Sequence, residues 1–127
     1  MSIEITKPMN DQAYSYINLD YMNMMSDGDA EMKKVMIDML LDELPTELEK
    51  MEKLTRDAEC GELGSVSHKM KSTLAFVGNE VMTESNKNIE LYAKDRQHLD
   101  QVPVLMANLQ SLAPKALDEL RAELERC

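Results

Sequence analysis

Residues 63–78 read Leu-Gly-Ser-Val-Ser-His-Lys-Met-Lys-Ser-Thr-Leu-Ala-Phe-Val-Gly. At the α-helical period, Leu63, Val66, Ser67, Met70, Leu74 and Val77 fall on one face, at the i, i+3, i+4, i+7 spacing of a core stripe. His68 lies nearly opposite that stripe, in solvent. Its helical neighbours at i−4, i+3, i+4 and i+7 are Gly64, Lys71, Ser72 and Ala75. Apart from one lysine, everything around the imidazole is small. A histidine raised above a cleared helical surface can enter another protein's pocket; one buried in its own bundle cannot.

The same period extends outward in both directions. A short first helix is expected over Tyr14 to Met25, on Ile17, Tyr21, Met24 and Met25. The turn Ser26-Asp27-Gly28-Asp29 ends in a good N-cap residue. A long second helix, Ala30 to Ala58, carries Met32, Val35, Met36, Met39, Leu40, Leu44, Leu48, Met51 and Leu54 inward, with a bend at Pro45. The third runs from Glu62 to Val77. Gly78 suits the left-handed residue that closes it, and Asn79 caps a fourth helix, Glu80 to Arg96, with Val81, Ser85, Ile89 and Tyr92 inward. A fifth starts near Val102-Pro103 and buries Leu105, Leu109, Leu112, Ala116, Leu117, Leu120 and Leu124. The expected fold is all-α: an antiparallel up-down four-helix bundle with an additional short N-terminal helix. Residues 1–12 form a loose N-terminal arm and residues 13–127 the bundle domain.

Composition narrows the function. The 127 residues suffice for one core, and a hydrophobic fraction of 43% excludes wholesale disorder. A net charge of −10 repels phosphate backbones and anionic lipid, which argues against nucleic acid and membrane as partners. No apolar run approaches the roughly 18 residues needed to span a bilayer. Met1-Ser2-Ile3-Glu4 lacks the basic start of a secretory signal, so a cytoplasmic protein is expected. Cys60 and Cys127 have no metal or disulfide spacing, His98 sits in a polar link, and the acidic runs Asp118-Glu119 and Glu123-Glu125 read as a solvated face.

A hairpin about Gly78 brings a second residue to His68. At about 1.5 Å of rise per residue, His68 is roughly 15 Å from the turn and Glu90 roughly 18 Å, level to within one helical turn. A carboxylate there can accept the imidazole Nδ1–H, fix the tautomer and leave Nε2 as an outward nucleophile. Lys69 and Lys71 add a local positive patch suited to phosphoryl oxygens, and Ser72 and Thr73 add donors. No metal-ligand cluster and no Gly-rich phosphate cradle accompany them. A nucleophile without nucleotide machinery needs a partner that brings the phosphoryl group.

The run Ser67-His68-Lys69-Met70-Lys71-Ser72-Thr73, then Gly78, then Ile89-Glu90, resembles the histidine-containing phosphotransfer (HPt) domain of two-component phosphorelays. The resemblance extends from about Leu19 to Leu124 and includes Ser26-Asp27-Gly28-Asp29 and Pro45. It implies an up-down bundle with His68 phosphorylated at Nε2, Lys69 and Lys71 stabilising the phosphoryl group, Gly78 ending the phosphorylated helix, and Glu90 orienting the ring. It also implies receiver domains of hybrid sensor kinases and response regulators as partners; these supply the aspartate and Mg²⁺, so the HPt chain itself needs no cofactor. Ser67 stands where alanine is commonest in the family and Ser72 where many members have glycine. Expected docking residues are Gly64, Ser65, Ser72, Ala75 and Phe76 around the histidine, with Met22 and Met25 of the first helix. The expected function is a monomeric phosphocarrier, not an enzyme in its own right, with no deep cavity beside His68. A non-phosphorylated helical adaptor that antagonises receivers, and the phosphorylated domain of a larger sensor kinase, are the alternatives; the start at Met1 favours a stand-alone chain.

Overall fold

In the computed structural model, residues 14–127 are described. They form five helices: α1 Asp20–Ser26, α2 Ala30–Arg56, α3 Cys60–Val77, α4 Glu80–Asp95 and α5 Val102–Arg126, the last preceded by one 3-10 turn, Leu99–Gln101. The four long helices close a bundle in which α3 packs on α2 and α4, and α5 on α2 and α4. The short α1 lies against α2 and α3. The expected loose arm, residues 1–12, lies outside the described residues.

Local signals set the helix ends. Asp29 caps α2 by accepting Glu31 N and Met32 N at 2.9 and 3.2 Å. Asn79 caps α4 through Met82 N at 3.0 Å. Gly78 closes α3 at φ 74°, the left-handed region where a side chain is strained, and a Cβ there would also run into the Asn18 carbonyl. α2 continues through Pro45, and its apolar face stays buried from Leu44 to Leu48.

Three sequence expectations are corrected. First, residues 14–19 are not helical. They form an irregular strap, because Glu119 of α5 takes Ser15 N, Tyr16 N and Ile17 N at 3.0, 2.8 and 3.2 Å and so replaces helical carbonyl acceptors. Asn18 N then binds Val77 O at 3.0 Å, and Asn79 Nδ2 donates to Tyr16 O at 2.9 Å, so the strap covers the α3–α4 turn. Second, Met32, Val35, Met39 and Val81 are exposed, not core. The inward phase runs through Ile37, Leu40, Leu44 and Leu48 on α2 and through Met82, Ser85, Ile89 and Ala93 on α4.

Third, two acids assigned to a solvated face hold the fold together. Glu119 anchors the strap, and Glu123 is buried with its side chain 1% exposed. Its carboxylate takes Lys33 Nζ at 2.6 Å, Tyr14 Oη at 2.9 Å and Arg126 Nε at 3.1 Å, which ties α2, the strap and the end of α5 together. Burial pushes the Glu123 carboxyl up, but hydrogen bonds from Lys33, Arg126 and Tyr14 outweigh it and hold the carboxyl below its ordinary range. Burial, then the bond to Glu123, pushes the Tyr14 phenol up to about 12. Removing one partner of a buried ionic cluster leaves the others desolvated and uncompensated. Glu123→Ala should therefore cost about 3 kcal/mol in urea unfolding, and Glu123→Gln less, because an amide oxygen still accepts Tyr14. A loss under about 0.5 kcal/mol for Glu123→Ala, the scale of an exposed pair, would show that the cluster is not structural.

Candidate functional site

The α3 face Leu63, Val66, Ser67, Met70, Leu74 and Val77 is buried throughout, as its period predicts. Ser67 is completely buried and pairs with Asn86 of α4. Its hydroxyl lies 2.7 Å from Asn86 Oδ1 and 2.9 Å from Asn86 O, and Asn86 Nδ2 donates to Ser67 O at 2.9 Å. These contacts fix the register of the two helices. The next residue on α3, His68, turns outward with its side chain 57% exposed. One turn beyond Asn86 on α4 stands Glu90.

His68 Nδ1 lies 2.7 Å from Glu90 Oε2. The same oxygen takes Lys94 Nζ at 2.8 Å, and Lys71 Nζ lies 3.5 Å from Oε1. The Glu90 side chain is 12% exposed. Its burial alone would push the carboxyl up. The hydrogen bonds from Lys94 and His68, with the charges of Lys71 and Lys94, win and hold it down to about 2. Glu90 is thus an ionised carboxylate at neutral pH and can only accept. Nδ1 is therefore the donor in this contact, and Nε2 is the ring nitrogen that Glu90 leaves unengaged.

The other expected site residues fall into three groups. Ser65, Ser72 and Ala75 are exposed around His68, and Met25 is exposed on α1. Lys69 is exposed, and it is Lys71 whose ammonium pairs with Glu90. Phe76 is half-buried and packs its ring on Tyr21, centroids 5.1 Å apart. Two docking assignments are corrected. Met22 is completely buried, because its side of α1 faces the bundle, and Met24 and Met25 take the outer side. Gly64 is buried too: a Cβ there would lie 3.1 Å from Lys94 Cγ, so its lack of a side chain makes room for that lysine's stem. His98 stays at the surface, its ring 5.2 Å from that of Tyr92.

Sequence reasoning missed Lys94 and a groove. The signal for Lys94 was present: it stands four residues after Glu90, the favourable order for a helical ion pair. The groove, about 260 Å³, lies between α2 and α3 and is lined by Met36, Met39, Leu40, Glu43, Ser72, Thr73 and Phe76. It includes Ser72, one turn past His68, and not His68 itself.

The Glu90 carboxyl's folded value of about 2 lies below the ordinary 4.5, so the stabilisation it contributes is complete above about pH 4.5 and is lost as pH falls toward 2. In a carbon-13 carboxyl titration, Glu90 should stay ionised well below pH 4. A midpoint near 4.5 would mean that the lysines and the imidazole do not hold it.

A family model for the Hpt domain matches residues 35–126. The searches of curated proteins and of solved structures returned no match. The matched span runs from the first third of α2 to the end of α5 and contains His68, Lys71, Gly78, Glu90 and Lys94. The helical bundle, the outward imidazole and the matched span agree, and the chain belongs to the Hpt domain family, the phosphocarriers of two-component signalling that work with receiver domains.

Proposed function

We propose that this protein relays a phosphoryl group between receiver-domain aspartates through His68 Nε2. The observation that carries the reading is an exposed imidazole whose Nδ1 is bound, at 2.7 Å, to a carboxylate held ionised. The Nε2 lone pair attacks the phosphorus of a receiver's aspartyl phosphate. The N–P bond forms as the P–O bond to aspartate breaks, and the carboxylate leaves with that electron pair. The reverse step hands the group to a second receiver. The partner brings its aspartate and Mg²⁺; this chain contributes ring orientation and local charge.

Of Lys69 and Lys71, it is Lys71 whose ammonium lies beside Glu90. Its 3.5 Å contact with Glu90 is loose enough to give way to a phosphoryl oxygen. Lys69 lends charge from the neighbouring position. The receiver docks over Ser65, Ser72 and Ala75 and into the groove lined by Met36, Met39 and Phe76. Exposed Met25, Met32 and Val35 extend that apolar surface. The protein acts as a monomer, because the four long helices complete one core within the chain.

His68→Ala should retain the fold, since the residue is exposed, and accept no phosphoryl group from a phosphorylated receiver with Mg²⁺. Intact mass of the wild type should rise by one acid-labile, alkali-stable phosphoryl group. Gain by the variant would sink the site; binding without gain by the wild type would make the protein an adaptor. Ala75→Trp places an indole two turns from His68 on the docking side and should slow transfer at least tenfold, about 1.4 kcal/mol in the barrier. Normal transfer to every receiver tested would remove this face from the interface.

A further inference from the structure

We propose that Lys94 is a positioning residue for phosphotransfer: it holds Glu90 against His68 by sharing the carboxylate oxygen that receives the imidazole Nδ1–H. This inference rests on His68 being the phosphoacceptor. Both cations of the cluster touch Glu90, but not alike. Lys94 Nζ lies 2.8 Å from Oε2, the oxygen that is 2.7 Å from His68 Nδ1, whereas Lys71 Nζ lies 3.5 Å from Oε1. The tight contact belongs to the lysine that leans on the orienting oxygen, and the loose one to the lysine on the other side.

The stem of Lys94 explains how a long exposed side chain is held in place. It crosses from α4 onto α3 at Gly64, where an added Cβ would meet Lys94 Cγ at 3.1 Å. Gly64 stands one turn before His68, so the lysine reaches Glu90 along a seat left open by the missing side chain of Gly64. Glu90 has three rotatable side-chain bonds, and an acceptor free to turn spends part of its time away from Nδ1.

The chemistry makes that placement matter. When Nε2 bonds to phosphorus and the aspartate carboxylate departs, the ring keeps its Nδ1 proton and gains positive charge. In the return step the N–P bond breaks and Nε2 leaves with the electron pair. With Nδ1 still protonated, the leaving group is neutral imidazole; without that proton it is imidazolate, a far poorer one. A carboxylate fixed at Nδ1 favours the reaction in both directions, and whatever fixes the carboxylate shares in that effect. An exposed i,i+4 ion pair does little for stability, so the loss of Lys94 shows in transfer and not in folding.

The experiment compares wild type, Lys94→Met, Lys94→Arg, Glu90→Ala and the double variant Glu90→Ala/Lys94→Met. Transfer from a phosphorylated receiver with Mg²⁺ is timed, and nitrogen-15 spectra of the unphosphorylated imidazole are recorded. Lys94→Met should slow transfer about threefold to tenfold, within the lower part of the coupling found for residues in contact. Lys94→Arg should restore most of it, and Lys94→Met should add no further slowing in the Glu90→Ala background. The spectra should show a single Nδ1–H tautomer in the wild type and Lys94→Arg, and a mixture of tautomers in Lys94→Met. Equal slowing by Lys94→Met with and without Glu90 would overturn the proposal in favour of a direct contact with the phosphoryl group or the receiver. Unchanged transfer with an unchanged imidazole would overturn it outright. If the wild type accepts no phosphoryl group, the relay reading fails, and the imidazole spectra still decide whether Lys94 holds Glu90.

Discussion

A buried reciprocal pair, Ser67 with Asn86, is the constraint on which the site depends. The two-residue turn Gly78-Asn79 brings α3 and α4 together but does not prevent them from sliding. The hydroxyl and the amide do, because each is shut off from water and each is satisfied only in one register. Sliding by a turn would leave both unpaired, at about 1–3 kcal/mol for each buried group. Once that register is set, the rest follows along the hairpin. His68 comes next on α3 and meets Glu90; one turn further from the loop, Gly64 receives the stem of Lys94. The serine at position 67, where the family commonly has alanine, is thus part of the device that aligns the imidazole with its carboxylate.

The acidic chain uses two of its surplus carboxylates as interior fastenings. Glu119 gathers three successive backbone N–H groups of the strap, and Glu123 gathers a lysine, a tyrosine and an arginine. The strap then reaches the α3–α4 turn through Asn18 and Tyr16. The hairpin that carries the histidine is consequently held from outside at its closed end, and the strap does not reach His68.

What could be read from the sequence divides along a physical line. Period and capping are local, so α2 to α5 emerge with ends within about two residues, and Gly78, Asn79 and Asp29 take their expected roles. The His68–Glu90 pairing was legible because a tight hairpin converts sequence distance into height. The strap was not: its acceptors sit more than a hundred residues away, at Glu119, and no window along Tyr14–Leu19 contains them. The exposed methionines misled for a different reason. Met32, Val35 and Met39 form a helical stripe of their own, about one residue out of phase with Ile37, Leu40 and Leu44, and periodicity alone does not say which of two adjacent apolar stripes turns inward. Only the partner helices decide, and they leave the methionine stripe facing out beside the groove that ends near Ser72.

Exposure of His68 limits what the protein can do for its own chemistry, and the charges around Glu90 answer that limit. The His68 side chain is more than half exposed, so no wall of the bundle encloses it, and under the proposed relay little of the stabilisation can come from a low-dielectric pocket. Orientation by a carboxylate is the economical solution, yet a bare carboxylate also repels an incoming phosphoryl group. Two like unit charges roughly 6 Å apart cost about 3 kcal/mol at an effective dielectric constant of about 20, and the chain's net charge of −10 adds to the repulsion. Lys71 and Lys94, one on each oxygen of Glu90, cancel most of that penalty without removing the acceptor from Nδ1. If His68 is the phosphoacceptor, the pair of lysines thus lets one half-buried acid orient the nucleophile while the surface around it, with exposed Lys69, stays locally positive.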